Sequence, residues 1–311
     1  MNIDQQTLDS PTGFHPAGLI ARCFPLIMRL RRSNRHYVTR EHVRRHLEQL
    51  IRTPQSIDPP RRLRRTLNLA PWNDGPWPGY VIRPATREPR GSVIYLHGGA
   101  WAHQAAPQHW SLMQSLAERA GVQVIMPIYP LAQHGGTASS VVPPVADMCE
   151  SFEGPIVLMG DSAGGSIAMS ASLLLKNRGN PVAATVLISP ALDLRFSNPE
   201  IDAVQPHDPW LMKKGLLELA EMWIREDIDD PVLCPFLGDF AGLNQILLFS
   251  GTFDIFNPDT RLFVRAARAA GVQVDYFEGA GQLYVYPLLP VPEARAARAL
   301  IVTAVREACD A

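Results

Sequence analysis

The sequence predicts an α/β protein in which helices flank a mostly parallel central sheet. Three observations carry that reading. From Trp77 onward, short apolar runs alternate with helix-length segments. The run Ile156-Val157-Leu158-Met159 feeds directly into Gly160-Asp161-Ser162-Ala163-Gly164-Gly165, a glycine-rich turn from strand to helix. Finally, a chain of 311 residues suits one enlarged domain better than two equal ones.

Taken in order, residues 1–65 read as a helical preface. Leu19, Ile20, Phe24, Ile27 and Met28 mark a first helix interrupted near Pro25, and Thr39 caps a second that carries Val43, Leu47 and Leu50. Pro54, Pro59 and Pro60 end the preface. Strands are predicted near 78–83, 92–96, 122–128, 156–160, 184–188, 245–250 and 272–277. Helices are predicted near 108–119, 139–151, 163–176, 258–270 and 292–308. Pro143 and Pro144 place the start of the second of these at the prolines. Between Ile188 and Gln245 lies an insertion in which Leu211, Leu216, Leu219, Ala220, Trp223 and Ile224 have helical spacing. A long insertion with its own apolar helix covers something. The expected organisation is a cap segment over 1–65 and a main domain over 66–311, with a cap insertion at about 195–230. Both cap pieces should lie over the C-terminal edge of the strands, where open α/β sheets bind ligands.

The net charge of −1 gives no electrostatic reason to expect nucleic acid. Charge is uneven, however: residues 1–66 hold 13 Arg, no Lys and 5 Asp/Glu, which leaves the remainder acidic. Such a segment suits anionic lipid, an acidic partner or the acidic remainder of its own chain, and the last is the favoured reading. Cys23, Cys149, Cys234 and Cys309 are scattered without paired spacing, so neither a metal site nor a disulfide framework is expected. No apolar run approaches the length of a transmembrane segment, and Asp4 and Asp9 stand where a signal peptide would carry positive charge. A cytoplasmic location is therefore expected.

Candidate chemistry gathers at three strand ends. A serine on a sharp strand-to-helix turn exposes its hydroxyl beside the free N–H groups of a helix N-terminus, which makes Ser162 the candidate nucleophile. His97-Gly98-Gly99-Ala100-Trp101 follows the strand Val93-Ile94-Tyr95-Leu96, and its adjacent glycines let bare amides turn toward one point. With the N–H of Ala163, the amides of Gly98 and Gly99 are the expected donors to a developing oxyanion. His97, at the strand end, is read as holding that loop. Asp254 follows the strand Ile246–Ser250 and suits the orienting acid of a Ser-Asp-His triad. Trp101 and Trp210 are the expected walls of a substrate pocket under the cap.

In this order HGGAW, GDSAGG and GTFD resemble the hormone-sensitive-lipase-like esterases, the bacterial α/β-hydrolases that carry an N-terminal helical cap. The likeness covers the chain from about residue 70 and, more loosely, the cap. It implies an α/β-hydrolase fold and a carboxylic-ester hydrolase acting on short or medium acyl groups. The implied ligand is a small-molecule ester or carboxylate, with no cofactor; a homodimer stays open. By the same resemblance Ser162 and Asp254 are catalytic residues, and Gly98, Gly99 and Ala163 form the oxyanion hole.

The third triad member does not carry over. In relatives the last strand leads to a histidine, whereas here that position in Gly281-Gln282-Leu283-Tyr284-Val285-Tyr286-Pro287 is Tyr284, and no histidine follows His207. An imidazole takes a serine proton near neutral pH; a phenol with its pKa near 10 does not. His207 is the other histidine considered as a base. Three readings follow: an impaired hydrolase, a non-hydrolytic binding protein, or a repurposed oxyanion-stabilising catalyst with Tyr284 as proton donor. Survival of Ser162 favours the first. Further departures at Phe253, Phe256, Asn257 and Gln282 speak against a single introduced His-to-Tyr change.

Overall fold

The computed structural model describes residues 10–14, 16–64, 68–225 and 229–310. A two-residue strand β1 (Gly13–Phe14) precedes helices α1 (Leu19–Leu30) and α2 (Arg40–Arg52) and the single turn α3 (Arg61–Arg64). Next come β2 (Leu69–Trp72), β3 (Gly79–Ile82), β4 (Ser92–Leu96), α4 (Pro107–Ala120), β5 (Gln123–Pro127), α5 (Ala138–Glu150), β6 (Ile156–Asp161), α6 (Ala163–Asn177) and β7 (Ala184–Ile188). The insertion carries α7 (Glu200–Val204) and α8 (Lys213–Ile224). The chain then runs through β8 (Gln245–Phe253), α9 (Asn257–Ala269), β9 (Val274–Leu283) and α10 (Pro292–Asp310).

Among the described residues one sheet collects nine strands in the order β1-β9-β8-β7-β6-β4-β5-β3-β2. Neighbours are parallel except for β2 with β3 and β3 with β5. Strands β4, β6 and β7 are buried along their whole length, as expected where helices cover both faces of a parallel sheet. The strand order reverses at β4, which lies between β5 and β6, so a crevice opens at the C-terminal ends of β4 and β6. Leu96 pairs with Gly160 there, which sets the loop starting at His97 beside the turn carrying Ser162.

The seven expected strands and the five expected helices of the main domain are present, with shifts of a few residues. Two helix boundaries differ. Pro143 and Pro144 lie inside α5 rather than at its start, because Thr137 and Ser140 form a reciprocal capping box one turn earlier. Helix α1 likewise runs through Pro25; its buried Ala21, Pro25 and Met28 pack with Leu283, Leu289 and Val291, which outweighs one lost ladder bond. Edge strands β1 and β2 were not foreseen. The first is two residues long, and the second carries Pro71 and is largely exposed to solvent or half-buried.

The preface meets the insertion through charge. Glu218 on α8 is buried and receives Arg44 at 2.6 Å and Arg40 at 3.0 Å, and Arg40 also pairs with Glu221. Part of the N-terminal arginine excess is thus answered within the chain, as the composition favoured.

Gly164 fixes how α6 approaches β4. A Cβ at that position would run into the backbone carbonyls of Leu96 and His97, with no flexible side chain to give way. Gly164→Ala is therefore expected to cost roughly 2–3 kcal/mol of stability through overpacking, measured by urea unfolding; a change under about 0.5 kcal/mol would mean that this contact does not seat the helix.

Candidate active site

Ser162 sits at the N-cap of α6 with φ 53° and ψ −120°, a strained conformation for a residue with a side chain. Its amide donates to the carbonyl of Ile188 at 2.9 Å, which ties the turn to the end of β7. The neighbouring loop is strained as well: Gly99, Ala100 and Trp101 all have positive φ, at 132°, 53° and 55°. Only the first of these is a glycine.

Asp161 joins the two strained turns. It is buried and accepts hydrogen bonds from the Tyr95 hydroxyl at 2.8 Å and the Gly98 amide at 2.9 Å, both on Oδ1. Its Oδ2 lies 3.3 Å from Nε2 of His109. Burial works to raise this carboxyl, but His109, Tyr95 and Gly98 together hold it below its ordinary value. The bond to Gly98 corrects one sequence expectation. That amide is committed to a carboxylate and does not point at a reacting carbonyl, so Gly98 is not an oxyanion donor in this geometry. The amides of Gly99, Ala100 and Ala163 carry no hydrogen bond among the described residues.

Tyr284 and Asp254 leave adjacent strands. Phe253 and Leu283 pair across β8 and β9 beside a bulge, so the residues that follow them emerge together. Tyr284 is buried, and its phenol is pushed well above its ordinary pKa by burial and then by the Asp161 carboxylate, against the pull of its interaction with Ser162. The Asp254 charge adds a smaller push in the same direction. Trp210 meets the Tyr284 ring edge-on at 5.4 Å, and Phe256 lies 5.9 Å away. The amide of the next residue, Val285, donates to Ser189 Oγ at 2.8 Å, anchoring this segment on the end of β7.

Asp254 is fully buried. It accepts from the Phe256 amide at 2.9 Å and has Ser250 Oγ at 3.5 Å. Its carboxyl is pushed up to about 7 by burial, with Ser189 opposing and the nearby Asp208 adding to the rise. Asp208 was not singled out from the sequence. It is buried, raised to about 6 by burial, and accepts the amides of Trp210, Leu211 and Ile255 at 2.8, 2.9 and 3.1 Å. It thereby pins the insertion to the loop of Asp254, and its only sequence signal is an Asp two and three residues ahead of amides that need an acceptor.

A cavity of about 290 Å³ opens over Ser162, with Gly99, Ala100, Tyr284, Trp210 and Leu216 among its walls. Trp101 is not one of them. It is fully buried and stacked on Trp223 at 5.7 Å, so it belongs to the packing beneath the loop. His207 also lies elsewhere, exposed and stacked on Phe253 at 5.0 Å. The histidines that do line the cavity are His36, His103 and His109. His109 cannot serve as a base here: its Nδ1 accepts the Ala106 amide at 2.9 Å, which leaves the ring proton on Nε2 facing Asp161. His103 is lowered to about 4 by burial and by His46 and His36. His97 is buried beneath the loop, stacked on Tyr129 at 4.7 Å with Nδ1 2.8 Å from the Gly98 carbonyl, and lowered to about 4 by burial and His109. No group of His, Cys, Asp and Glu among the described residues has the arrangement of a metal site.

The raised carboxyl makes stability depend on pH. An aspartate at about 7 in the fold and about 3.9 when unfolded contributes fully below the lower value, and that contribution is lost as pH rises toward the upper one. Asp254→Asn removes the titration, so the variant should match the parent near pH 4 and exceed it by roughly 4 kcal/mol at pH 8 in urea unfolding. A difference that does not change with pH would contradict this environment for Asp254.

Comparison with known proteins places this geometry. The family profile described as alpha/beta hydrolase fold matches residues 93–288. An acetyl-hydrolase of Streptomyces hygroscopicus is 30% identical over 220 residues, spanning 67% of this chain and 73% of that protein. A triacylglycerol lipase of Mycobacterium tuberculosis is 28% identical over 217 residues, spanning 67% of this chain but only 45% of the lipase, so the match covers less than half of that relative. Among solved structures, an esterase from the bacterial hormone-sensitive lipase family superposes with a TM-score of 0.77 at 24% identity, covering 94% of this chain and 99% of that one. An esterase/lipase from an uncultured bacterium gives 0.79 at 19% identity, covering 95% and 100%. The sheet order, the strained serine turn and the profile match agree: this chain belongs to the α/β-hydrolase fold family.

Proposed function

We propose that the chain is a hormone-sensitive-lipase-like carboxylic-ester hydrolase in which Ser162 is the nucleophile and ordinary turnover is weak. The observation that carries the reading is the Tyr284 phenol, which interacts with the Ser162 side chain where a triad would hold its imidazole. Attack forms a bond from Ser162 Oγ to the ester carbonyl carbon, and the hydroxyl proton must leave. A phenol raised above its ordinary value is already protonated at neutral pH, so Tyr284 donates hydrogen bonds and accepts no proton from the serine. The amides of Gly99, Ala100 and Ala163 are the proposed donors to the oxyanion, and each such donor is worth about 3 kcal/mol to the transition state. Polarisation of the carbonyl is thus provided for, while proton removal falls to solvent.

The two cap pieces are part of the proposal. Ser33, His36, Tyr37 and Gln55 from residues 1–65 and Trp210, Leu211 and Leu216 from the insertion border the same cavity, which supports a lid made jointly by both. The four cysteines are unpaired, which fits a reducing, cytoplasmic setting. No helix among the described residues is long and apolar enough to cross a membrane. A second reading, non-hydrolytic capture of a carboxylate or carbonyl compound, is favoured by one feature: a buried O–H donor beside an oxyanion cradle holds such a group without consuming it.

Turnover of p-nitrophenyl acetate and butyrate decides between them. The parent should hydrolyse slowly, Ser162→Ala should abolish the activity, and Tyr284→His should raise kcat/KM by about 10²–10⁴-fold, the usual worth of a positioned base. A parent rate near the median enzyme kcat of about 10 s⁻¹ would contradict the missing base. No turnover by parent or Tyr284→His, together with a co-purifying small molecule, would establish the binding reading.

A further inference from the structure

Exposed large apolar side chains are concentrated in one element. Leu19, Ile20, Leu26, Ile27 and Leu30 of α1 are between 42% and 81% exposed, while among the described residues Leu262 is the one such residue beyond position 57. The opposite side of the same helix is a normal core face, with Ala21, Pro25 and Met28 packed on Leu283, Leu289 and Val291. At 100° per residue the two faces are opposed, and Arg22 and Arg29 run along one flank between them. A helix that is apolar on both sides is ordinarily buried on both sides. With 12 residues α1 is too short to span a bilayer, which leaves it lying along an interface.

Charge identifies the interface. Residues 10–40 contain Arg22, Arg29, Arg31, Arg32, Arg35 and Arg40 and no acidic residue. Arg40 is paired with Glu218 and Glu221, but the other five make no ion pair to a carboxylate among the described residues. Among the described residues Arg22, Arg29 and Arg35 reach the Ala17 carbonyl, the Pro206 carbonyl and the His36 ring. A row of apolar side chains flanked by unanswered guanidinium groups matches the boundary between acyl chains and anionic headgroups.

We infer that α1 seats this protein on an anionic membrane surface, with Leu19, Ile20, Leu26, Ile27 and Leu30 entering the headgroup boundary and the arginines of 22–35 contacting lipid phosphate. The segment that follows α1 carries Ser33, His36 and Tyr37 to the rim of the cavity over Ser162, so seating turns that rim toward the lipid. The inference does not depend on ester turnover.

Co-sedimentation with vesicles tests it directly. The full chain should bind vesicles of 70% phosphatidylcholine and 30% phosphatidylglycerol, and bind at least tenfold more weakly to phosphatidylcholine alone or in 0.5 M NaCl. Each basic residue near an anionic leaflet contributes about fivefold, so Arg31→Glu with Arg32→Glu should lower binding by at least about 20-fold. Leu26→Glu with Ile27→Glu should also lower it at least tenfold, and both double variants should keep the parent's thermal midpoint because these side chains are exposed. Equal binding by parent and variants, or no binding to anionic vesicles, overturns the inference. A dimer in sedimentation velocity that Leu26→Glu with Ile27→Glu dissociates, without vesicle binding by the parent, would assign the face to a second copy instead.

Discussion

The buried carboxylate of Asp161 is the constraint around which the site is arranged. It stands one residue before Ser162 and gathers donors from three other places: Tyr95 within β4, Gly98 just beyond it and His109 in the first turn of α4. A buried charge without such partners would cost several kcal/mol. With them it remains ionised and locks the serine turn to the glycine loop. Hydrogen bonds to a charged group contribute about 1.5–3 kcal/mol each, enough to hold the positive φ of Gly99, Ala100 and Trp101 in place. The same bonds consume the Gly98 amide and the Nε2 proton of His109, so the carboxylate both builds the cradle and removes two groups from its chemistry.

At Asp254 and Asp208 the electrostatics run the opposite way. Asp254 and Asp208 are buried near each other, and burial raises both. In a triad the acid would face an imidazole that gains charge as the serine proton leaves. Here it faces the neighbourhood of a phenol that Asp161 also keeps protonated. The charges of Asp161 and Asp254 each make a Tyr284 phenolate less favourable. The tyrosine is coherent with this environment as a donor and incompatible with it as a base.

Much of this was legible in the sequence because the signals are short-range. Apolar runs in parallel strands and the glycines of the serine turn follow from local chemistry, and these motifs single out Asp254 just past β8. Tyr284 is placed by the resemblance, as the residue standing where relatives carry a histidine. What was not legible depends on how peptides and rings are turned by distant partners. Gly98 and Gly99 look equivalent in sequence, and only the approach of Asp161 commits the first amide. Trp101 reads as a wall, but its positive φ turns it under the loop onto Trp223. His207 was the plausible distant imidazole, whereas His36, His103 and His109 reach the cavity through tertiary packing that no spacing announces. The prolines of α5 were misread because a capping box upstream outweighs them.

The pH dependence of Ser162 labelling by a p-nitrophenyl phosphonate bears most directly on the proposal that Ser162 is a nucleophile with its cradle and without its base. Without an imidazole to accept the proton, the labelling rate should keep rising with hydroxide concentration past pH 8, at about tenfold per pH unit, and show no plateau. A rate that levels off at neutral pH would mean that a group with a pKa near 6–7 takes the serine proton after all, and would contradict the account.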